Sequence, residues 1–131
     1  MPRVLVIEDD DNARPALVLL LQRELACEID AVASGGEALA AMLDHGYDVM
    51  ITDVSMFRAR PSWPTASLGL ADIIRAARSV NKGILVVLIS GFAGRDLASI
   101  AWAVAAPVWL EKPVDAKRLA DIIRDYLRKV G

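Results

Sequence analysis

The chain is short of the residues that serve soft metals and cross-links. Its 131 residues include one cysteine and one histidine. Cys27 alone cannot form an internal disulfide, which fits a reducing compartment. His45 and Cys27 are too few for a zinc site, which needs several nitrogen or sulfur ligands. No apolar run approaches the roughly 18 residues of a membrane span. The N-terminus runs straight into a strand pattern, without the layout of a signal peptide. Net charge is only -2, without the basic bias of a nucleic-acid surface. These absences imply a cytoplasmic protein that engages neither membrane nor nucleic acid. What is abundant is apolar: 55% of residues are hydrophobic and 24% charged, which excludes a disordered chain. The length suits one domain, residues 1–131, with a sizeable core.

Short apolar runs alternate with helical patterns, the signature of parallel βαβ units. Strands are expected at about 3–8, 28–33, 48–52, 84–89 and 107–110. Helices are expected at about 12–26, 35–44, 68–80 and 95–104, with a last one starting near Asp115. Asp10 or Asp11 suits the first N-cap, with Pro15 in the first turn. Ser34 and Glu37 have the spacing of a capping box. Five strands and five helices fit a doubly wound α/β fold with strand order 2-1-3-4-5. The first helix is apolar on more than one side, through Ala16-Leu17-Val18-Leu19-Leu20-Leu21. Two partly buried faces are the expectation for it; a docking or self-association face is the other reading.

Four apolar runs end in reactive polar residues: Glu8-Asp9, Asp53, Ser90-Gly91 and Glu111-Lys112-Pro113. In an open parallel sheet the carboxyl ends of the strands share one crevice. Three carboxylates there repel one another unless a cation intervenes. Hard oxygen donors suit Mg²⁺. Asp53 can then act as a nucleophile toward phosphorus, forming an aspartyl phosphate. Lys112 would clamp phosphate oxygens, and the Ser90 hydroxyl would bond one of them, with Gly91 leaving space beside it. Blander readings stand beside these. Acids favour helix starts, which accounts for Asp10 and Asp11 better than for Glu8 and Asp9. A cis Lys112–Pro113 bond is expected to fix the turn.

This ordered set resembles the response-regulator receiver domain of two-component systems, of the single-domain chemotaxis type. An acidic pair follows strand one, an aspartate strand three, Ser or Thr strand four, and Lys-Pro strand five, across essentially the whole length. The resemblance implies that Asp53 accepts a phosphoryl group from a histidine kinase or a histidine phosphotransfer protein. It implies Mg²⁺ (or Mn²⁺) bound by Glu8, Asp9, Asp53 and the backbone carbonyl of Ser55. It also implies that Ser90 and the strand-five aromatic, here Trp109, are the switch residues. The readout face would be helix 4, strand 5 and helix 5. Pro113 and Gly91 would be structural, and Phe92 and Ser55 would tune phosphoryl lifetime. A shielding Phe92 predicts faster phosphate loss in Phe92→Ala. A monomer or weak homodimer is expected, with an unidentified downstream protein and no turnover of a separate substrate.

The chain departs from the family pattern after Asp53. Phe57 stands where a proline is usual, and the next glycine, Gly69, comes late. A long inserted loop, about 54–67, is expected, and its Arg58, Arg60 and Trp63 could meet a partner or cover the site. Trp102 reads as core packing; Trp109 reads equally as core or switch. Two alternatives to the receiver function stand: a phosphorylation-independent interaction module of the same shape, and an aspartate-nucleophile phosphatase. The phosphatase normally carries a second aspartate where Ser55 stands here. A flavodoxin-type protein fits less well, because no Gly/Ser/Thr-rich phosphate loop follows strand one.

Overall fold

Five parallel strands form one sheet in the order β2-β1-β3-β4-β5. The computed structural model describes residues 1–57, 69–91 and 94–130, with residues 94–96 and 130 in backbone only. The strands are β1 (Arg3–Ile7), β2 (Glu28–Val32), β3 (Val49–Asp53), β4 (Leu85–Ser90) and β5 (Val108–Glu111). The helices are α1 (Ala13–Glu24), α2 (Gly35–Asp44), α3 (Leu70–Val80), α4 (Gly94–Ala103) and α5 (Ala116–Val130). A single 3-10 turn, Ser55–Phe57, follows β3. The rest of the expected insertion, with Arg58, Arg60 and Trp63, lies outside the described residues, as does Phe92.

The chain moves from β1 to β2 in one direction, then crosses back over β1 to β3 and continues to β5. Right-handed crossovers put α1 on one face and α2, α3 and α4 on the other. The central strands β1, β3 and β4 are buried on both faces because helices cover both. Successive residues of β1 divide cleanly. Val4 and Val6 pack with Leu17 and Leu21 of α1 and Leu119 and Ile123 of α5. Leu5 and Ile7 pack with Ala38 and Met42 of α2, Ile73 and Ile74 of α3, and Leu97 of α4. β4 splits the same way, with Leu85, Val87 and Ile89 toward α1 and α5, and Val86 and Leu88 toward α2–α4.

Local chemistry sets the helix ends. Asp10 Oδ1 accepts from the amides of Asn12 and Ala13, both at 2.8 Å, and so caps α1 from just outside it. Ser34 Oγ accepts from the Glu37 amide at 3.1 Å, and Glu37 reaches back to the Ala33 amide at 2.7 Å. Asp115 Oδ1 accepts from the amides of Lys117 and Arg118 at the start of α5. The expected buried stripe of α3, Leu70, Ile73, Ile74 and Ala77, is buried.

Two expectations fail. Trp102 is not core: it is 86% exposed. Its helix buries Leu97 and Ala101, four residues apart, and the next position turns away from that stripe. α1 does not have two partly buried faces. Leu17 and Leu21 are buried, whereas Leu19 and Leu20 are exposed. One helix lying on one sheet face, with α5 as its neighbour, covers only one stripe.

Candidate functional site

β1 lies between β2 and β3, so its carboxyl end is where the winding direction reverses. Ile7 pairs in register with Thr52, so Glu8 and Asp53 emerge side by side. Asp53 pairs with Ile89, and Ser90 with Glu111, so the ends of β3, β4 and β5 follow in steps. The turn from β5 into α5 then carries Lys112 back across the crevice. The Lys112–Pro113 peptide is cis, as expected from the sequence.

The expected polar residues meet at this point. One carboxylate oxygen each from Glu8, Asp9 and Asp53 lies within 4.8 Å of the others. Glu8 and Asp53 are buried, and Asp9 is exposed at the mouth. Lys112 Nζ donates to Glu8 Oε2 at 2.8 Å and to Asp53 Oδ2 at 3.1 Å. Asp53 Oδ1 accepts from the Ser55 amide at 3.0 Å and the Ser55 hydroxyl at 2.8 Å. The Ser90 side chain is buried, and its carbonyl accepts from the Lys112 amide at 2.8 Å. Among the described residues, a Cβ added to Gly91 would meet nothing within 4 Å beyond its chain neighbours.

Electrostatics account for the lysine. Burial pushes the Glu8 carboxyl above its ordinary value, and the Asp53 charge pushes the same way; the Lys112 ammonium and the Asp10 amide only partly oppose this. Burial by itself would lower Lys112, but hydrogen bonds to Glu8 and Asp53 outweigh it and hold the ammonium above its usual range. The lysine therefore stays charged, bridging two acids that would otherwise face each other uncompensated.

The donor set fits a hard divalent cation. It is all oxygen, three carboxylates converge, and one of them opens to solvent, as a cation that keeps several waters requires. Among the described residues no other group of three or more Asp, Glu, His or Cys residues comes together.

The switch candidate Trp109 sits on β5 opposite Leu88, and the residue is 42% exposed. It borders a groove of about 570 Å³ lined by Ala98, Ala101, Trp102, Ala105, Ala106 and Pro107. The balance between core and switch readings thus moves away from core packing.

Sequence reasoning missed Arg14. Its Nη1 donates to the Glu8 carbonyl at 2.9 Å and its Nη2 to Asp11 Oδ1 at 2.8 Å. The only available signal was a basic residue in the first turn of α1, where acids are favoured. It also missed Tyr47, whose hydroxyl donates to Asp30 Oδ2 at 2.7 Å, while Arg3 Nη1 donates to the same oxygen.

Comparison with known proteins agrees with this architecture. The sequence model of the response regulator receiver domain matches residues 4–124. A hybrid signal transduction histidine kinase G of Dictyostelium discoideum is 26% identical over 126 residues; these make up 95% of this chain and 4% of that much longer protein. The crystal structure of a response regulator receiver domain protein from Clostridium thermocellum superposes with a TM-score of 0.77 at 25% identity, covering 99% of this chain and 97% of that one. The chemotaxis protein CheY4 of Vibrio cholerae superposes with a TM-score of 0.75 at 25% identity, covering 96% and 98%. Fold, the end-of-strand acids and a family match over nearly the whole length agree: this chain belongs to the response-regulator receiver domains of two-component signalling.

Proposed function

We propose that the chain is a phosphoacceptor switch, modified on Asp53 by a phosphohistidine of a histidine kinase or a histidine phosphotransfer protein. The observation that carries this reading is Lys112 Nζ bridging the buried carboxylates of Glu8 and Asp53. A buried acid pair held by one lysine is costly as mere structure. It is useful where phosphoryl oxygens arrive and need compensating charge.

In the proposed transfer, an Asp53 carboxylate oxygen attacks the phosphorus of the N-phosphorylated imidazole. The P–N bond breaks, its electron pair returns to the imidazole nitrogen, and that nitrogen takes up a proton. Asp53 becomes an acyl phosphate. Lys112 exchanges its contact with Asp53 Oδ2 for a phosphoryl oxygen while keeping Glu8. The Ser90 hydroxyl bonds a second oxygen. Glu8, Asp9, Asp53 and the Ser55 carbonyl would hold Mg²⁺ (or Mn²⁺), which supplies charge neutralisation for the transferring oxygens. Water attack on the acyl phosphate returns the carboxylate and releases phosphate, so no separate substrate is turned over.

The readout is the surface formed by α4, β5 and α5. Added negative charge biases a bistable element. Trp109, half out of the protein beside a small-residue groove, has room to change position. An unidentified downstream protein would read that change. Cytoplasmic location fits this role; among the described residues no helix is long and apolar enough to cross a membrane.

The test is transfer from a phosphohistidine-bearing donor protein. Label should leave the donor and appear on the parent chain only with a divalent cation, and never on Asp53→Asn. Cation-dependent binding of the donor without transfer would favour the phosphorylation-independent module.

A further inference from the structure

Two acids of the site, Glu8 and Asp9, leave the backbone from one turn. Between β1 and α1 the chain reverses through Glu8, Asp9, Asp10, Asp11 and Asn12. Glu8 Oε1 accepts from the Asp10 amide at 3.2 Å, and Asp10 Oδ1 holds the amides of Asn12 and Ala13. These bonds fix both ends of the turn. The peptide joining Glu8 to Asp9 is held from one further direction: its carbonyl accepts from Arg14 Nη1 at 2.9 Å. That peptide unit is rigid and planar, so its orientation sets where both acid side chains leave the backbone.

We infer that Arg14 is a positioning residue for the cation site, acting through the Glu8–Asp9 peptide. This rests on the receiver reading of the site. Arg14 is well suited to the task. Its side chain is 23% exposed, and its planar fork spends one nitrogen on the carbonyl and another on Asp11 Oδ1 at 2.8 Å. Asp11, itself 88% exposed, offsets the guanidinium charge. A positive group can therefore stand beside a cation site without emptying it. Removing a partner that hydrogen-bonds and orients a metal ligand typically costs about 10–100-fold in metal affinity, and Arg14 would act in that way on the peptide that carries two of the ligands.

The sign of one measurement separates this role from its rival. If Arg14 acted only through its charge, removing it would relieve repulsion and tighten divalent binding. If it positions the Glu8–Asp9 peptide, removing it loosens the acids and weakens binding. Mg²⁺ binding is measured by calorimetry on the parent, Arg14→Ala, Arg14→Lys and Asp11→Asn, each checked for an intact thermal transition. The expected result is a loss of about tenfold in Arg14→Ala. Arg14→Lys, which keeps one donor for the carbonyl, should recover part of it. Asp11→Asn should lose less than Arg14→Ala. Phosphorylation by a small donor should need more Mg²⁺ for half-saturation in Arg14→Ala yet reach the parent rate at saturation. Unchanged or tighter Mg²⁺ binding in Arg14→Ala overturns the inference while leaving the site reading intact. A parent chain that binds no Mg²⁺ overturns the site reading itself, and this inference with it.

Discussion

Lys112 holds the site together at the scale of single residues. Its side chain is 31% exposed, while the two acids it bridges are almost wholly buried. Breaking a fully buried pair costs about 3–5 kcal/mol, so with solvent screening at the lysine we expect Lys112→Met to cost about 2 kcal/mol. Urea denaturation in the presence of a chelator measures this, and added Mg²⁺ should restore part of the loss; equal midpoints for parent and variant would contradict it. A second residue-scale prediction concerns the opposite end of the sheet. The Tyr47 hydroxyl, aided by Arg3, holds the Asp30 carboxyl below its ordinary value against the effect of burial. A depressed carboxylate contributes stability above its unfolded pKa and loses it as pH falls through the folded value. The stability gap between parent and Asp30→Asn should therefore be full at neutral pH and shrink below about pH 4. A gap that stays constant through acid titration would show that Asp30 contributes no charge-dependent stability.

Elements show why the sequence disclosed some features and hid others. Strands β3 and β4 are buried at every position, and such runs announce themselves as continuous apolar stretches. β2 is an edge strand with exposed and half-buried residues, yet its place followed from the alternation of the other elements. Trp102 was misread because tryptophan suggests core by composition. The Leu97–Ala101 spacing, read as a stripe, would have put it outside. The end of α4 falls within a residue of its expected place, but the turn that makes it has no glycine to mark it. Ala105 has φ of 54°, a left-handed conformation that usually calls for glycine. The Ala106 amide donates to the Ala101 carbonyl and the Ala105 amide to the Trp102 carbonyl, the paired bonds of a helix-ending turn. Arg78 of α3 donates to the carbonyls of Val104 and Ala105 at 2.8 and 2.7 Å and secures that turn. Ala105→Gly relieves the steric cost and should raise stability by about 0.5–1 kcal/mol despite the greater freedom of unfolded glycine. A denaturation midpoint equal to or below the parent's would mean that the αL strain at Ala105 is already relaxed.

At the scale of the whole molecule, topology does what no single motif can. Glu8, Asp53, Ser90 and Lys112 are far apart in the chain, and each alone is an ordinary strand-end residue. One winding reversal at β1 brings them to a common edge. That gathering was legible because each member lies within two residues of the end of an apolar run, so its place at a strand's carboxyl end needed no side-chain detail. Arg14 was not legible, because its partner is a backbone carbonyl and no side-chain pattern marks one. The central claim is that this gathered set makes Asp53 a phosphoacceptor. The direct measurement is the intact mass of the chain after incubation with Mg²⁺ and a small acyl phosphate or phosphoramidate, beside Asp53→Asn treated identically. One phosphoryl adduct is expected on the parent, absent when Mg²⁺ is chelated before donor addition, and none on the variant. An adduct that persists in Asp53→Asn, or a parent that binds Mg²⁺ and accepts no phosphoryl group from small or protein donors, would contradict it.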